Sequence, residues 1–313
     1  MTNTILVTDI GGDIDDVLAL YTAIGSSKIN LIGILVTGNN NFRRAHLTKQ
    51  LLAATSYRNI SVISPPDKQN FTSSHKFSMP VEFESGDIQE ESDDAVKYLN
   101  EMINKHHKDI VIACIGPLTT VAEAVMSNSK LLSGLTRFYI QGQSIVRDNK
   151  HLDPDVVSSY NLREDEEAAT IVFQNLQENN INITCLGKFA AYRVLLEKKY
   201  FANWSHHFDL VNYATQSIKT FWEGNPEKVY EIYQVPKEFR SKEKYLEYLK
   251  FLSSPYDPLL ILCITDPYLF ESISVGGHQI IGSDVTNHGV PNPEVVKQKI
   301  DNYIANALMQ TIK

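Results

Sequence analysis

Cysteine is scarce in this sequence, with only three among 313 residues. Cys114, Cys185 and Cys263 each stand in an apolar stretch ("VIACIG", "ITCLG" and "LLILCIT"). An odd number at wide spacing argues against a disulfide framework or a zinc site. We therefore expect buried, reduced thiols, as in a cytoplasmic protein.

Long apolar runs and an excess of positive charge are also lacking. No stretch approaches the roughly 20 apolar residues of a membrane-spanning helix, and the opening "MTNTILVTDI" has no basic n-region of a secretory leader. The formal net charge of −8 argues against a nucleic-acid backbone or an anionic membrane as the main partner. These absences predict a cytoplasmic protein that binds neither nucleic acid nor membrane.

The order of elements along the chain predicts the fold. With 43% hydrophobic and 21% charged residues, the composition is that of a globular protein. Short β-rich runs alternate with helical periodicity, and we predict strands at about 4–8, 30–37, 59–63, 109–115, 136–141 and 181–186, and helices near 15–25, 43–56, 93–106, 118–127 and 164–177. A last helix is predicted to begin at Pro293, capped by Asn292. The alternation predicts an α/β fold, one large domain over residues 1–313 whose mostly parallel central sheet is flanked by helices.

Two segments interrupt this alternation. Residues 64–92 are polar, with Pro and Ser throughout, and are predicted to form a long loop. Residues 200–255 combine helical patterns with aromatic side chains, as in "SIKTFWEGNPEKVYEIY", and are predicted to form a helical, lid-like segment. Its aromatic residues could line a lid or a partner surface, or simply pack the helices.

Aspartates crowd together where the first strand passes into the first helix. The stretch "ILVTDIGGDIDDVLALYTAI" holds Asp9, Asp13, Asp15 and Asp16. Like charges at such separations repel, the more so if they are buried, and a divalent cation would resolve the repulsion; calcium takes about six to eight oxygen ligands. The spacing is not that of an EF-hand, because the glycines precede the acids and no bidentate Glu follows. The simpler alternative is that some of these acids only cap the helix.

Polar residues occur in further loops, which we expect at the ends of other strands. They are Asn39 in "ILVTGNNN", Thr119 in "CIGPLTT", Asn161 in "SSYNLREDEEAA" and Asp257 in "SPYDPLLILCITDP". Each has a simpler explanation as a turn, a helix start or an N-cap. Ligands of such folds bind beyond the carboxyl ends of the strands, so together these residues favour a site there.

The motifs, taken together, resemble those of the inosine-uridine-preferring nucleoside hydrolase family, calcium-dependent enzymes that cleave N-ribosidic bonds. The resemblance covers most of the chain and is carried by "DIGGDIDDVLAL", Gly38-Asn39, "GPLTT", "SYNLREDEEAA" and "YDPLLILCITDP". A single match would be weak evidence, whereas five in the family's order are specific.

The resemblance implies a chemistry that suits the acid cluster. Calcium would be held by Asp9, Asp16, Asp257 and the Thr119 carbonyl, orienting the sugar and making a bound water more acidic. Asp15 would be the catalytic base that takes the proton as this water attacks C1′.

The resemblance also implies a substrate and an assembly. The substrate would be a ribonucleoside or a related N-riboside, cleaved to ribose and free base through an oxocarbenium-like state, as in purine or pyrimidine salvage. The residues implied to contact it are Asn39, Asn161, Asp16, Asp257 and Tyr256. The protein would be a homo-oligomer, a dimer or a tetramer.

The N-terminal motif departs from the family pattern. Val7 replaces the motif's first aspartate, Ile10 stands where the pattern has Pro, and two extra residues precede the Asp15-Asp16 pair. Without a gap in the alignment, Asp13 would match the base; with a gap, it is an additional acid or extra ligand. We assign the pair to Asp15-Asp16 because these residues directly precede the helical "VLAL".

Departures also occur around the predicted sugar and leaving group. Tyr256 stands where family members often carry a His that protonates the leaving base, and Ser159 replaces a Glu that usually binds the ribose. None of the nine histidines falls in a matched motif. His75, in the polar segment 64–92, is the one that could move towards the leaving base. Lys188, in "CLGKFAAY", could line the crevice or be a solvated lysine.

Two functional classes therefore remain open at this point. One is a hydrolase of ribonucleosides; the other is a calcium- and ribose-binding protein on the same scaffold with weak or no activity. A phosphatase of the haloacid-dehalogenase type is disfavoured, because Gly11 occupies the place of its second aspartate.

Overall fold

In the computed structural model, which describes residues 1–53, 55–68, 94–197 and 252–309, strands and helices alternate from the start. The strands are β1 (Thr2–Thr8), β2 (Ile29–Val36), β3 (Val62–Ile63), β4 (Ile110–Cys114), β5 (Arg137–Gln141), β6 (Ser144–Val146), β7 (Leu152–Pro154), β8 (Asn182–Leu186), β9 (Leu196–Glu197), β10 (Leu252–Ser253), β11 (Ile273–Val275) and β12 (His278–Ile281). The α-helices are α1 (Asp15–Gly25), α2 (Asn41–Ala53), α3 (Ala95–Lys105), α4 (Thr119–Ser127), α5 (Tyr160–Glu164), α6 (Glu166–Glu178), α7 (Lys188–Arg193), α8 (Tyr256–Thr265) and α9 (Pro293–Met309).

Eight strands form the central sheet, in the order β11-β12-β8-β5-β4-β1-β2-β3. All neighbours are parallel except β11, which runs antiparallel to β12 at one edge. Two small antiparallel pairs, β6 with β7 and β9 with β10, lie outside it. From β1 the chain adds strands on one side as far as β3 and then returns to β4 on the other side. Ligand crevices in such sheets open where the direction of strand addition changes, here between β1 and β4.

The core lies on both faces of the sheet, so the central strands contain consecutive buried apolar residues that face opposite sides. In β1, Leu6 packs with α1, α2, α8 and α9, whereas Ile5 and Val7 pack with α3, α4 and α6. All five residues of β4 are buried. Because both faces are covered, these strands read as continuous apolar runs rather than as alternating patterns.

The predicted fold class is confirmed: a mostly parallel central sheet flanked by helices. Each of the six predicted strands and five predicted helices overlaps an observed element, and the last helix begins at Pro293 as predicted. The thiols of Cys114, Cys185 and Cys263 are buried and free, as expected. The lid-like segment predicted at 200–255 lies almost wholly outside the described residues, as does most of the loop predicted at 64–92.

Among the described elements, the β6–β7 hairpin, the β9–β10 pair, the β11–β12 edge and helices α7 and α8 were not predicted from the sequence. The sequence of α8, "YDPLLILCIT", has no polar face because the helix is buried on nearly all sides. Its first turn contains Asp257, so this residue lies inside the helix rather than at its N-cap. Within the described ranges, none of the helices combines the length and apolar character needed to traverse a bilayer.

The fully buried carboxylate of Asp266, after α8, joins three parts of the structure. Lys28 Nζ, before β2, lies 2.5 Å from its Oδ1, and the hydroxyl of Tyr303, on α9, donates to Oδ2 at 2.7 Å. Burial alone would raise the pKa of Asp266, but the hydrogen bonds from Lys28 and Tyr303 lower it to about 2. The charged form is therefore stabilised in the folded state.

We expect Asp266→Asn to destabilise the protein by on the order of 2–3 kcal/mol at neutral pH, because hydrogen bonds to a buried charge are lost. Since the folded-state pKa is lowered to about 2, this contribution is present above the usual pKa of 3.8 and disappears as the pH falls through the lower value. Urea unfolding at several pH values measures it. Asp148→Asn, at an exposed aspartate paired with His151, is the matched control and should cost less than about 1 kcal/mol. Equal losses in both variants would contradict the assignment.

Candidate functional site

Buried aspartates from two distant parts of the chain meet beyond the carboxyl end of β1. Asp15 and Asp16 come from the first turn of α1 and Asp257 from the first turn of α8, and each is less than a tenth exposed. One carboxylate oxygen of each lies within 4.8 Å of the others. The acid cluster, as we call Asp15, Asp16 and Asp257, is thus assembled by the packing of α1 against α8.

Asp9 borders the cluster from the end of β1 and is also buried. A Cβ on Gly116, which follows β4, would lie 2.7 Å from Asp9 Oδ1 and 2.9 Å from Thr37 Cγ2. The ends of β1, β2 and β4 therefore approach so closely that only glycine fits at position 116. Thr8, whose role was not predicted from the sequence, donates a hydrogen bond from its hydroxyl to Asp16 Oδ1.

Asp9 and Asp13 lie close to the acid cluster, which brings five carboxylates near one another. Burial and mutual repulsion disfavour charging all of them at once. Burial raises the pKa of Asp15 well above its usual range, and the charges of Asp13, Asp16 and Asp9 raise it further. The pKa of Asp257 is raised by burial first, and then by the charge of Asp15 and of the other aspartates. A cation among these oxygens would remove the repulsion.

The donor set fits a hard divalent cation. Buried, converging carboxylate oxygens with neighbouring carbonyls and hydroxyls are the ligands that calcium and magnesium prefer. Of the residues predicted to hold the metal, Asp16 and Asp257 belong to the cluster and Asp9 adjoins it. The catalytic candidate Asp15 also belongs to the cluster, although the sequence analysis did not count it among the metal ligands. Asp13 lies at its side, half-exposed, and its Oδ1 accepts a hydrogen bond from the N–H of Ile14 at 2.6 Å.

Thr119 begins α4 and is buried, at the end of the loop that follows β4. Its hydroxyl donates to Asp165 Oδ2 at 2.8 Å, and Lys68 Nζ pairs with the same oxygen at 2.9 Å. Asp165 also caps α6 by accepting from the N–H of Ala168. The anchoring role of Asp165 was missed, although an aspartate three residues before Ala168 and followed by two glutamates is a recognisable N-cap.

Asn161 lies on the short helix α5, over the ends of β4 and β5. Its Nδ2 donates to the carbonyl of Ile115 at 2.7 Å and to Gln141 Oε1 at 2.9 Å. Ser159, at the start of the same helix, accepts from the N–H of Gln143. Lys188 Nζ donates to the carbonyl of Ser158 at 3.3 Å, so this half-buried lysine lies beside the start of α5.

Asn39 and Tyr256 occupy two other sides of the site. Asn39 is half-exposed after β2, and its carbonyl accepts from Arg44 Nε at 2.6 Å. Tyr256 directly precedes Asp257 and meets the ring of Tyr192 edge-on at 6.1 Å. Arg44 was missed as a site residue, although it lies three and seven residues before the buried Leu47 and Leu51, on the inward face of α2. His75 lies outside the described residues.

Together, these features define an α/β protein with a buried acidic pocket at the switch point of a parallel sheet. The sequence profile of the family described as inosine-uridine preferring nucleoside hydrolase matches residues 4–303. The chain belongs to this family. No curated protein sequence matches it significantly.

Solved structures share the fold at low sequence identity. The type III effector protein XopQ, solved in complex with adenosine diphosphate ribose, is 20% identical with a TM-score of 0.77, over 98% of this chain and 93% of that one. The purine-preferring ribonucleoside hydrolase from Gardnerella vaginalis is 17% identical with a TM-score of 0.68, over 98% and 99%. The inosine-uridine preferring nucleoside hydrolase from Bacillus anthracis is 15% identical with a TM-score of 0.60, over 98% and 100%.

Proposed function

We propose that the protein hydrolyses the N-glycosidic bond of a ribonucleoside or a related N-riboside, giving ribose and the free base. The observation that carries this proposal is the acid cluster, whose three buried carboxylates lie within 4.8 Å of one another at the ligand-binding edge of a nucleoside hydrolase fold. Structural carboxylates are rarely buried together without a cation, because the charged forms repel.

Calcium is the proposed cofactor, with Asp9, Asp16, Asp257 and the Thr119 carbonyl as its ligands. When bound, calcium would orient the ribose hydroxyls and lower the pKa of a coordinated water. It would also favour the charged forms of Asp15 and Asp257, whose pKa values burial and mutual repulsion otherwise raise.

Asp15 is the proposed general base. It would accept a proton from the attacking water as the water oxygen bonds to C1′, while the electron pair of the N-glycosidic bond passes to the departing base. The positive charge that develops on the sugar would be stabilised by neighbouring carboxylates. Asn39 and Asn161 would hydrogen-bond the ribose, and Tyr256 would lie on the side of the leaving base.

The second candidate function is that of a calcium- and ribose-binding protein with weak or no hydrolysis. A structure of the same fold, the effector XopQ, was solved in complex with adenosine diphosphate ribose, which makes this ligand a reasonable probe of the second candidate. Ser159 and Tyr256, which depart from the family pattern, favour this candidate. Lys188, beside the start of α5, could then meet an anionic part of the ligand.

An assay of ribose release tests the proposal directly. Inosine, adenosine, guanosine, uridine and cytidine are each incubated with the protein in calcium and in excess chelator. We expect release of ribose from at least one nucleoside, reduced on the order of 10²-fold or more by chelation, because the water and the sugar both depend on the ion.

The same experiment separates the two candidates. Calorimetry with adenosine diphosphate ribose and with D-ribose is performed alongside. Calcium-dependent binding without ribose release would favour the binding protein, whereas neither binding nor release would overturn both. A cytoplasmic homo-oligomer, a dimer or a tetramer, is part of the same proposal and rests on the family resemblance.

A further inference from the structure

The turn that carries Asn39, residues 38–41, is held from two opposite sides by charged side chains that no motif of the family pointed to. It departs from ordinary backbone geometry, since φ is +89° at Gly38 and +56° at Asn40. Glycine and asparagine adopt these φ values with little strain, so the sequence permits the turn without fixing its orientation. The direction of the Asn39 side chain therefore depends on what holds the turn.

Arg44 holds the turn from the inside. Its side chain is fully buried, and its guanidinium reaches two loops at once: Nε donates to the carbonyl of Asn39 at 2.6 Å and Nη1 donates to the carbonyl of Ile10 at 2.9 Å. Burying a guanidinium is costly unless it is hydrogen-bonded. Ile10 directly follows Asp9, so this arginine links the loop of a predicted calcium ligand to the loop of a predicted ribose ligand.

Asp67 holds the same turn from the outside. Its two carboxylate oxygens accept from the N–H groups of Asn40 at 3.0 Å and Asn41 at 2.9 Å, at the start of α2. Both are charge-assisted bonds to the positive end of a helix dipole. Asp67 is exposed and contacts the turn, whereas Arg44 contacts both the turn and the loop of Asp9.

We propose that Arg44 and Asp67 are positioning residues that clamp the turn of residues 38–41, and that Arg44 alone keeps it in register with the loop of Asp9. Neither residue touches the substrate. Their effect on ribose is exerted through Asn39, and the inference rests on the proposed role of Asn39 as a ribose ligand.

The two clamps predict different binding phenotypes. Asp67→Asn removes one acceptor from the turn and should weaken D-ribose binding on the order of 10-fold at saturating calcium, while the calcium Kd stays within about 2-fold. Arg44→Lys replaces the planar guanidinium with a compact ammonium group that cannot donate to both carbonyls at once. This variant should therefore bind both D-ribose and calcium more weakly. Calorimetry with calcium alone and with D-ribose measures each constant.

A double-mutant cycle with Asn39→Ala separates positioning from general loosening of the structure. Where Asn39 is already truncated, adding Asp67→Asn at saturating calcium should weaken D-ribose binding by less than about 2-fold, because the group that it positions is gone. If the effects were independent, Asp67→Asn would weaken D-ribose binding by its full factor of about 10 on the Asn39→Ala background as well. Arg43→Lys, at the exposed neighbouring arginine of α2, is the matched control and should leave every constant unchanged.

Each outcome decides the inference. Multiplying effects, or an Asp67→Asn variant with the D-ribose affinity of the unaltered protein, would overturn it while leaving the proposed function intact. If Arg44→Lys fails to fold, the cycle with Asp67→Asn still decides, because Asp67 is at the surface. If the unaltered protein binds neither calcium nor D-ribose, the proposed function fails first and the inference with it.

Discussion

Asp15→Asn is expected to reduce kcat on the order of 10²–10⁴-fold at saturating calcium, which is the usual contribution of a general base. Asn has nearly the same shape as Asp but cannot take a proton from water. The residue lies at the start of α1 within the acid cluster, and burial and the neighbouring acids raise its pKa. A bound cation would lower this raised pKa and keep the carboxylate charged at the working pH, which is the form that can accept a proton.

Asp13→Asn is the matched comparison, because the ungapped alignment of the N-terminal motif would make Asp13 the base. Asp13 is half-exposed, and its Oδ1 already accepts from the N–H of Ile14. We expect this variant to act chiefly through calcium affinity, with kcat restored as calcium is raised. Single-turnover kinetics of both variants across a calcium titration measure the difference. A large chemical-step defect in Asp13→Asn, with Asp15→Asn nearly normal, would reverse the assignment.

The parallel sheet could be predicted because its strands are buried on both faces. Every residue of β4 is apolar, and the second half of β1 has the apolar run Ile5–Val7; such runs between helical patterns indicate a covered strand. Burial on all sides is also the reason that α8 was not predicted. Its residues are almost uniformly apolar, so the sequence shows no helical period there. The β6–β7 hairpin was missed for the opposite reason: its strands are three residues long, and Ile145 and Val146 are exposed.

The candidate site was predictable to the extent that it lies at strand ends. Loops after parallel strands meet at one edge, so Asp9 and Asn39 could be expected near one another. Asp257 was also expected at a strand end, but it reaches the site from the first turn of α8. The contacts that support them were not predictable, because they join residues far apart in sequence. Arg44 reaches back to Ile10, and Lys68 reaches forward to Asp165. The sequence does not distinguish a buried arginine such as Arg44 from an exposed lysine such as Lys68. Their burial depends on how α2 and α6 pack.

Asp257→Asn is expected to abolish the stabilisation by calcium. At a calcium concentration of about 100 times Kd, a bound ion stabilises the folded state by about 2.7 kcal/mol, and this gain should vanish in the variant. Without metal, the variant should be at least as stable as the unaltered protein, because a buried charge that four other aspartates repel has been removed. Thermal unfolding with calcium and with chelator measures both effects, and Asp148→Asn, at the exposed surface, should show neither.

The dependence of stability and calcium binding on pH follows from Asp15 and Asp257. The folded-state pKa values of Asp15 and Asp257 are raised above the usual 3.8, so the contribution of these two groups to the stability of the metal-free protein is fully present below that pH and is lost as the pH rises through the raised values. Calcium must displace the protons that these groups hold at acidic pH. The calcium-dependent rise in Tm should therefore be small near pH 4, grow as the pH increases and then level off. A rise in Tm that is independent of pH, or that survives Asp257→Asn, would show that calcium binds away from the acid cluster.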